Sequence, residues 1–255
     1  MLRSLYTSGT AMITLSRRMD TVANNLSNAD TAGYKKDLLV SRSFRDMLVD
    51  RIYPSGSDER PQRVGPLNLG IHVDEVVTSF EQGALEETGN PLDLAIRGGG
   101  FLIVENPNGE IRYTRGGSFQ INGDGCLVTA TGESLLDIDG QPIPVGSSSF
   151  TLDGMGNLYL DDEYVTTLAL VDFAEEAMED LRKTGEGQYM YIGDPDQMMP
   201  FQGELVQGSL EDSNVNVIKE MMDMMEINRS YESNQRVVRM LDESLGKAVN
   251  EIALR

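Results

Sequence analysis

Apolar residues recur every seven positions at both ends of this chain, and that spacing limits the fold more than any other feature. Near the N-terminus Leu5, Met12, Met19 and Leu26 form one row, with Leu2, Gly9, Ser16 and Ala23 three positions ahead of them. A seven-residue repeat of this kind predicts an amphipathic helix from about Leu2 to Asn28, its seam made of one large and one mostly small row. Small residues on a seam let another backbone come close. From about Val217 to Ile252 the row Met224, Tyr231, Val238, Leu245 and Ile252 keeps the same spacing, and Ile227, Leu241 and Ala248 widen it. The amides Asn228, Asn234 and Gln235 beside this second seam weaken a simple dimeric zipper and suit register in a larger assembly. Spacing leaves two arrangements open: an antiparallel helix pair within one chain, or helices packed between molecules.

The pattern changes between the helices. From about Ile71 to Gln207 the chain reads as short runs rich in β-branched and aromatic residues, among them "LDLAI", "FLIV", "IRYT", "NLYL" and "QYMYI". The turn sequences "PNGE" (107–110), "NGDG" (122–125), "DIDG" (137–140) and "DGMGN" (153–157) separate them. Only "AEEAMEDLRK" (174–183) suggests a short helical turn. Residues 41–70, with "PSGSDERPQRVGP", read as a connector and as loop rather than core. The fold class is therefore α+β: long N- and C-terminal amphipathic helices forming a helical-pair stalk, and a central all-β domain of short strands and hairpins. The expected division is 1–30 with 211–255 for the helices, 31–70 for the connector and 71–210 for the β-domain.

Charge and composition exclude several functions. Of 21 Lys/Arg and 41 Asp/Glu, residues 1–65 hold ten and seven, leaving 11 against 34 for the rest, so the acidity belongs to the middle and the C-terminal part. Such a surface repels nucleic acid and anionic lipid. One cysteine (Cys126) and one histidine (His72) supply neither a disulfide framework nor the usual zinc ligands, and no metal or cofactor is expected. No apolar run is long enough to span a membrane, and the N-terminal residues lack the core and cleavage site of a secretory signal, so any export proceeds without a cleavable signal peptide.

Candidate chemical sites read better as turns. Gly98 and Gly100 in "RGGGFLIV" precede an extended apolar run, whereas a phosphate cradle needs glycines that open a helix. A calcium loop starting at Asn122 has Leu127 where the required glycine belongs. Pairs such as Asp137 with Asp139, or Glu86 with Glu87, are expected by chance in so acidic a chain, and no serine sits in a nucleophile elbow. Nothing speaks for catalysis.

Four strings resemble a known family: "ANNLSNADTAGYK" (23–35), "QGALEETGNPLDLAIRGGGFLIV" (82–104), "YTRGGSFQINGDGCLVTATG" (113–132) and "QGSLEDSNVNVIKEMMDMMEINRSYESNQRVVRMLDESLGKAVNEI" (207–252). They are similar to the bacterial flagellar rod and hook proteins, most of all to rod subunits of the basal body, and they run through most of the chain in the family's order. "RGGGFLIV" departs from the family in having Gly99 and Leu102 where an acidic residue and a second phenylalanine are common.

The resemblance implies a structural subunit of the flagellar rod, the drive shaft that transmits torque from motor to hook, located in the basal body of the cell envelope. It implies self-association into a helical filament, contacts with other rod and hook proteins, and passage through the flagellar type III export apparatus. The subunit-interface residues would be those of the two seams: Leu5, Met12, Met19, Leu26, Met224, Tyr231, Val238, Leu245 and Ile252. The junctions between helices and outer domain would use Asn24, Asn25, Asn28, Thr31, Gly33 and Tyr34 on one side and Ser213, Asn214 and Asn216 on the other. Any of these last three suits the cap of the second helix. From another class, a surface-binding or glycan-binding β-domain displayed on a coiled-coil stalk is the alternative.

Overall fold

The computed structural model describes residues 2–51, 62–146, 150–185 and 187–252. Helix α1 spans Leu2–Ser27 and helix α2 spans Val217–Ile252. Strand-rich chain lies between them, so the architecture is α+β. Contacts divide it into two units.

The first unit holds α1, Asp37–Thr78 and the segment from Asn216 onward. The helices are antiparallel: Asn25 near the end of α1 bonds Glu220 at the start of α2, while Leu15 and Arg18 lie beside Asp223, Ile227 and Ser230. Val22 and Ile227 are buried there. The expected connector is not loop throughout. Strand β1 (Asp37–Ser43) pairs with β4 (Ile71–Thr78), and β2 (Met47–Arg51) pairs with β3 (Gln62–Leu67), both antiparallel. Glycine and proline are tolerated because among the described residues each ribbon has two strands only, so Pro66 needs no second partner, and Gly65 at φ +132° sits where the register shifts. Residues 52–61, which hold most of "PSGSDERPQRVGP", lie outside the described residues.

The second unit comprises Asn28–Lys36 and Ser79–Val215. Its largest sheet is built around Phe101–Glu105, which pairs with Ile111–Thr114 along one edge and with Leu170–Phe173 and Ser134–Leu135 along the other. Strand alternation sends successive residues of "FLIV" to opposite faces. Leu102 and Val104 enter one core with Leu127, Leu135, Ile143 and Leu158, whereas Phe101 enters another with Tyr113, Phe173 and Tyr189. Phe101 meets Phe173 edge-on at 5.5 Å between centroids and Tyr189 at 5.8 Å. Residues 174–183, expected as a helical turn, give a short 3-10 turn, Ala177–Asp180, and then a strand, Leu181–Gly185. Leu181 is buried as the strand pairs with Gln188–Tyr191. That pairing outweighs the local helical preference.

The central strand thus supports two cores at once. Replacing Phe101, fully buried, with Ala should lower the unfolding free energy of the β-domain by about 3–5 kcal/mol. Ile111→Ala, at a side chain 54% exposed, should change it by less than about 0.5 kcal/mol. Denaturant titration of the two variants checks this, and equal effects would contradict the assignment of the core.

Candidate functional site

The polar junction residues bind backbone. Asn25, 1% exposed, works as a strand partner inside a helix: its Oδ1 accepts from the Asp37 N–H at 2.9 Å, and its Nδ2 donates to the Asp37 carbonyl at 2.9 Å and to Glu220 Oε2 at 3.4 Å. Asn214 does the same for the preceding amide, accepting from the Lys36 N–H at 2.8 Å and donating to the carbonyls of Ser79 and Glu81 at 2.8 and 3.1 Å. Two consecutive backbone N–H groups therefore each end on an asparagine. A buried N–H without a partner would be costly, and a short amide can both donate and accept.

The caps divide otherwise. Asn216 caps α2, its Oδ1 accepting from the Lys219 N–H at 3.0 Å. Ser213 accepts from the Val215 N–H instead. Thr31 donates to Asn28 Oδ1, and Asn24 is exposed on α1. Gly33 has φ +70°, and a Cβ there would lie 2.4 Å from the Arg115 backbone, so both conformation and space demand glycine. Its N–H donates to the Glu211 carbonyl at 2.7 Å. Tyr34 is buried under the Lys183 ammonium, 3.7 Å from its ring centroid.

Beneath this turn lie three charges that carry no sequence expectation. The Lys35 ammonium meets Glu211 Oε1 at 2.5 Å and donates to the Glu81 carbonyl at 2.7 Å. Glu211 Oε1 also accepts from the Gly83 N–H at 2.8 Å, and its Oε2 faces Arg115 Nη1 at 3.4 Å. Arg115 donates to the Gly98 carbonyl at 3.0 Å and lies over the Phe101 ring. All three side chains are almost wholly removed from solvent. Burial pushes the Lys35 amine below the ordinary lysine range, while the hydrogen bond and charge of Glu211 oppose that shift. Positions 35, 115 and 211 are too far apart for any spacing rule to connect them.

The seam residues are placed differently. Leu5, Met12, Met19 and Leu26 are half-buried on α1, and Met224, Tyr231, Val238 and Leu245 are half-buried on α2. Ile252 ends α2, and its side chain lies outside the described residues. The aspartate-rich turns hold their own backbone. Asp137 accepts from the N–H groups of Asp139 and Gln141, and Asp153 from those of Met155 and Asn157. Hydrogen bonds from Asn157 hold the Asp153 carboxyl below its usual range. At Gly99 a Cβ would come within 2.7 Å of the Asp172 carboxylate, so an acidic side chain there would press like charge on like.

Removing the anion of the buried triad leaves two cations facing each other. Glu211→Gln should destabilise the β-domain by about 3–5 kcal/mol, and adding Lys35→Met should recover part of that loss. A denaturant-based double-mutant cycle measures both. Strictly additive losses would mean that the pair is not coupled.

Three family models match the chain in order: Flagella basal body rod protein over residues 5–35, Flagellar hook protein FlgE/F/G D1 domain over 95–164, and Flagellar basal body rod FlgEFG protein C-terminal over 206–251. Each matched segment contributes one member of the triad. The chain is 32% identical over 274 residues to the flagellar hook-basal body complex protein FlhO of Bacillus subtilis, covering 99% of both chains. It is 32% identical to the flagellar basal-body rod protein FlgG of Agrobacterium fabrum, over 95% of this chain and 96% of the relative. To the basal-body rod protein FlgF of Mesorhizobium japonicum it is 29% identical, over 98% and 97%. With likeness of this extent at both ends and through the middle, the chain belongs to the flagellar basal-body rod protein family.

Proposed function

We propose that this chain, a structural protein and not an enzyme, polymerises into the flagellar rod of the basal body through its two terminal helices. The reading extends to torque transmission from motor to hook, to contact with other rod and hook proteins, and to passage through the flagellar type III export apparatus.

The observation that carries it is the state of the helices. A single chain leaves the seam of α1 and α2 only half-buried, and α2 adds the exposed apolar residues Ile218, Met221, Met222, Met225 and Met240. Apolar surface of this extent on a long helix suits a partner. Among the described residues no helix is long and apolar enough to cross a membrane, and the partner we propose for this surface is protein. The helical-pair stalk and the seam residues Leu5, Met12, Met19, Leu26, Met224, Tyr231, Val238, Leu245 and Ile252 serve as the contact layer, with Asn24, Asn25, Asn28, Thr31, Gly33 and Tyr34 and Ser213, Asn214 and Asn216 at its border.

Charge placed on the seam tests this. Leu245→Asp should prevent incorporation into rods, read as loss of assembled basal bodies by electron microscopy, while the β-domain of the purified variant unfolds at the natural denaturant midpoint. Normal rods built from this variant would contradict the seam assignment.

A further inference from the structure

One side of α1 reads as polar in the sequence and is not polar in the fold. Thr7, Thr10, Thr14 and Thr21 donate their hydroxyls to carbonyls of their own helix, those of Arg3, Thr7, Thr10 and Arg17, at 3.0, 3.0, 3.1 and 3.1 Å. A hydroxyl bonded back to its helix leaves the methyl as the group free for packing. Thr10, Thr14 and Thr21 form one wall of an open groove, and the other is made by Leu39 and Val73 of the β1–β4 ribbon with Phe44, the residue that follows β1. The groove encloses about 470 Å³, and the exposed Arg17 and Asp20 stand along it.

Helix α2 carries a matching stripe. Ile218, Met221, Met222 and Met225 follow the i, i+3, i+4, i+7 pattern of one helix face, and the least exposed of them is 48% open to solvent. The stripe is about 10 Å long, while the groove follows α1 for about 16 Å. Glu220 and Ile227, on the other side of α2, are buried. Because α2 meets α1 through that other side, the stripe does not reach the groove of its own chain.

We propose that the groove of one copy receives the α2 stripe of a second copy of this chain, head to tail. This rests on the reading of the chain as a polymerising subunit and names the surfaces that meet. Charge selects the occupant and its direction. The stripe is flanked by Lys219 and by Glu226, which also borders Arg18 of its own α1, and the groove by Arg17 and Asp20; all four are exposed and none is in an ion pair among the described residues. With the incoming α2 antiparallel to α1, Lys219 comes to Asp20 and Glu226 to Arg17. A parallel α2 brings like charges together. The helices are already antiparallel within a chain, so neighbours that share one polarity present that pairing. Methionine, unbranched and flexible, fills an irregular groove without exact shape matching. A groove and a stripe on different faces of one subunit make a heterologous contact, which continues from copy to copy.

The test is site-directed cross-linking in rods assembled from full-length chains in flagellated cells, with Cys126→Ser as parent. Thr21→Cys and Met221→Cys in the same chain, treated with a short bis-maleimide, should give a ladder of covalent oligomers. A mixture of the two single-cysteine chains should stop at dimers. In the double-cysteine chain Arg17→Glu should lower the yield about fivefold, the scale of one exposed ion pair, and adding Glu226→Arg should restore it. Rods that form normally but yield only monomers would overturn the groove contact and leave the rod subunit reading standing. Closed dimers without a ladder would overturn the head-to-tail arrangement. If the parent chain entered no rod, the subunit reading itself would fall and this contact with it.

Discussion

The carboxylate of Glu211 is the interaction on which the rest of the structure depends. Removing an ion from water costs several kcal/mol even after relaxation, so a buried carboxylate survives only where every oxygen is engaged. Here Oε1 takes the Lys35 ammonium and the Gly83 N–H, and Oε2 faces Arg115. The main chain around it has no slack: a Cβ at Gly83 would lie 1.9 Å from the Asp212 carbonyl oxygen, and one at Gly33 would strike Arg115. Residues 28–36, which begin where α1 ends, are thereby docked on the β-domain by charge and by backbone fit. A charged cluster discriminates more sharply among alternative arrangements than an apolar contact, because a misplaced partner leaves an ion unpaired.

The helices follow the opposite logic. Their seam residues are only half-buried within one chain, and the few fully buried positions are mixed, Val22 and Ile227 beside Ser8, Thr14, Asn25 and Glu220. Helical stability in water comes mainly from packing of the amphipathic face, so half a seam gives half the support. The β-domain contains two cores of its own, whereas the helical unit leaves the apolar stripe of α2 exposed and its seams half-buried. That difference supports the proposed reading of the chain as a filament subunit, in which neighbours would complete the contact layer.

Much of the fold was legible in the sequence because periodicity is local. The heptad rows mark α1 and α2, and the turns at Asn122, Asp137 and Asp153 fall where glycine and Asx chemistry placed them. Strand β4 falls where the strand-like runs were read to begin, at Ile71, but β1, β2 and β3 were missed, because the proline, glycine and charge of 54–66 count as loop signals unless a strand is known to have only one neighbour. Residues 181–185 were missed because their structure depends on pairing with Gln188–Tyr191, which no window of the sequence contains. The same limit hid the triad. Lys35, Arg115 and Glu211 each sit inside a string that resembles the family, yet only folding brings them together. The threonine side of α1 was opaque for another reason: composition records a hydroxyl and not whether its own helix has already taken it.

Peptide-resolved hydrogen exchange on the free chain and on assembled rods shows whether other subunits complete the terminal helices. If they do, amides of residues 2–27 and 217–252 exchange far faster in the free chain than in rods, while those around Phe101–Glu105 are equally protected in both. Helix amides as protected in the dilute monomer as in the rod would contradict completion by neighbours, since the two helices would then already satisfy each other.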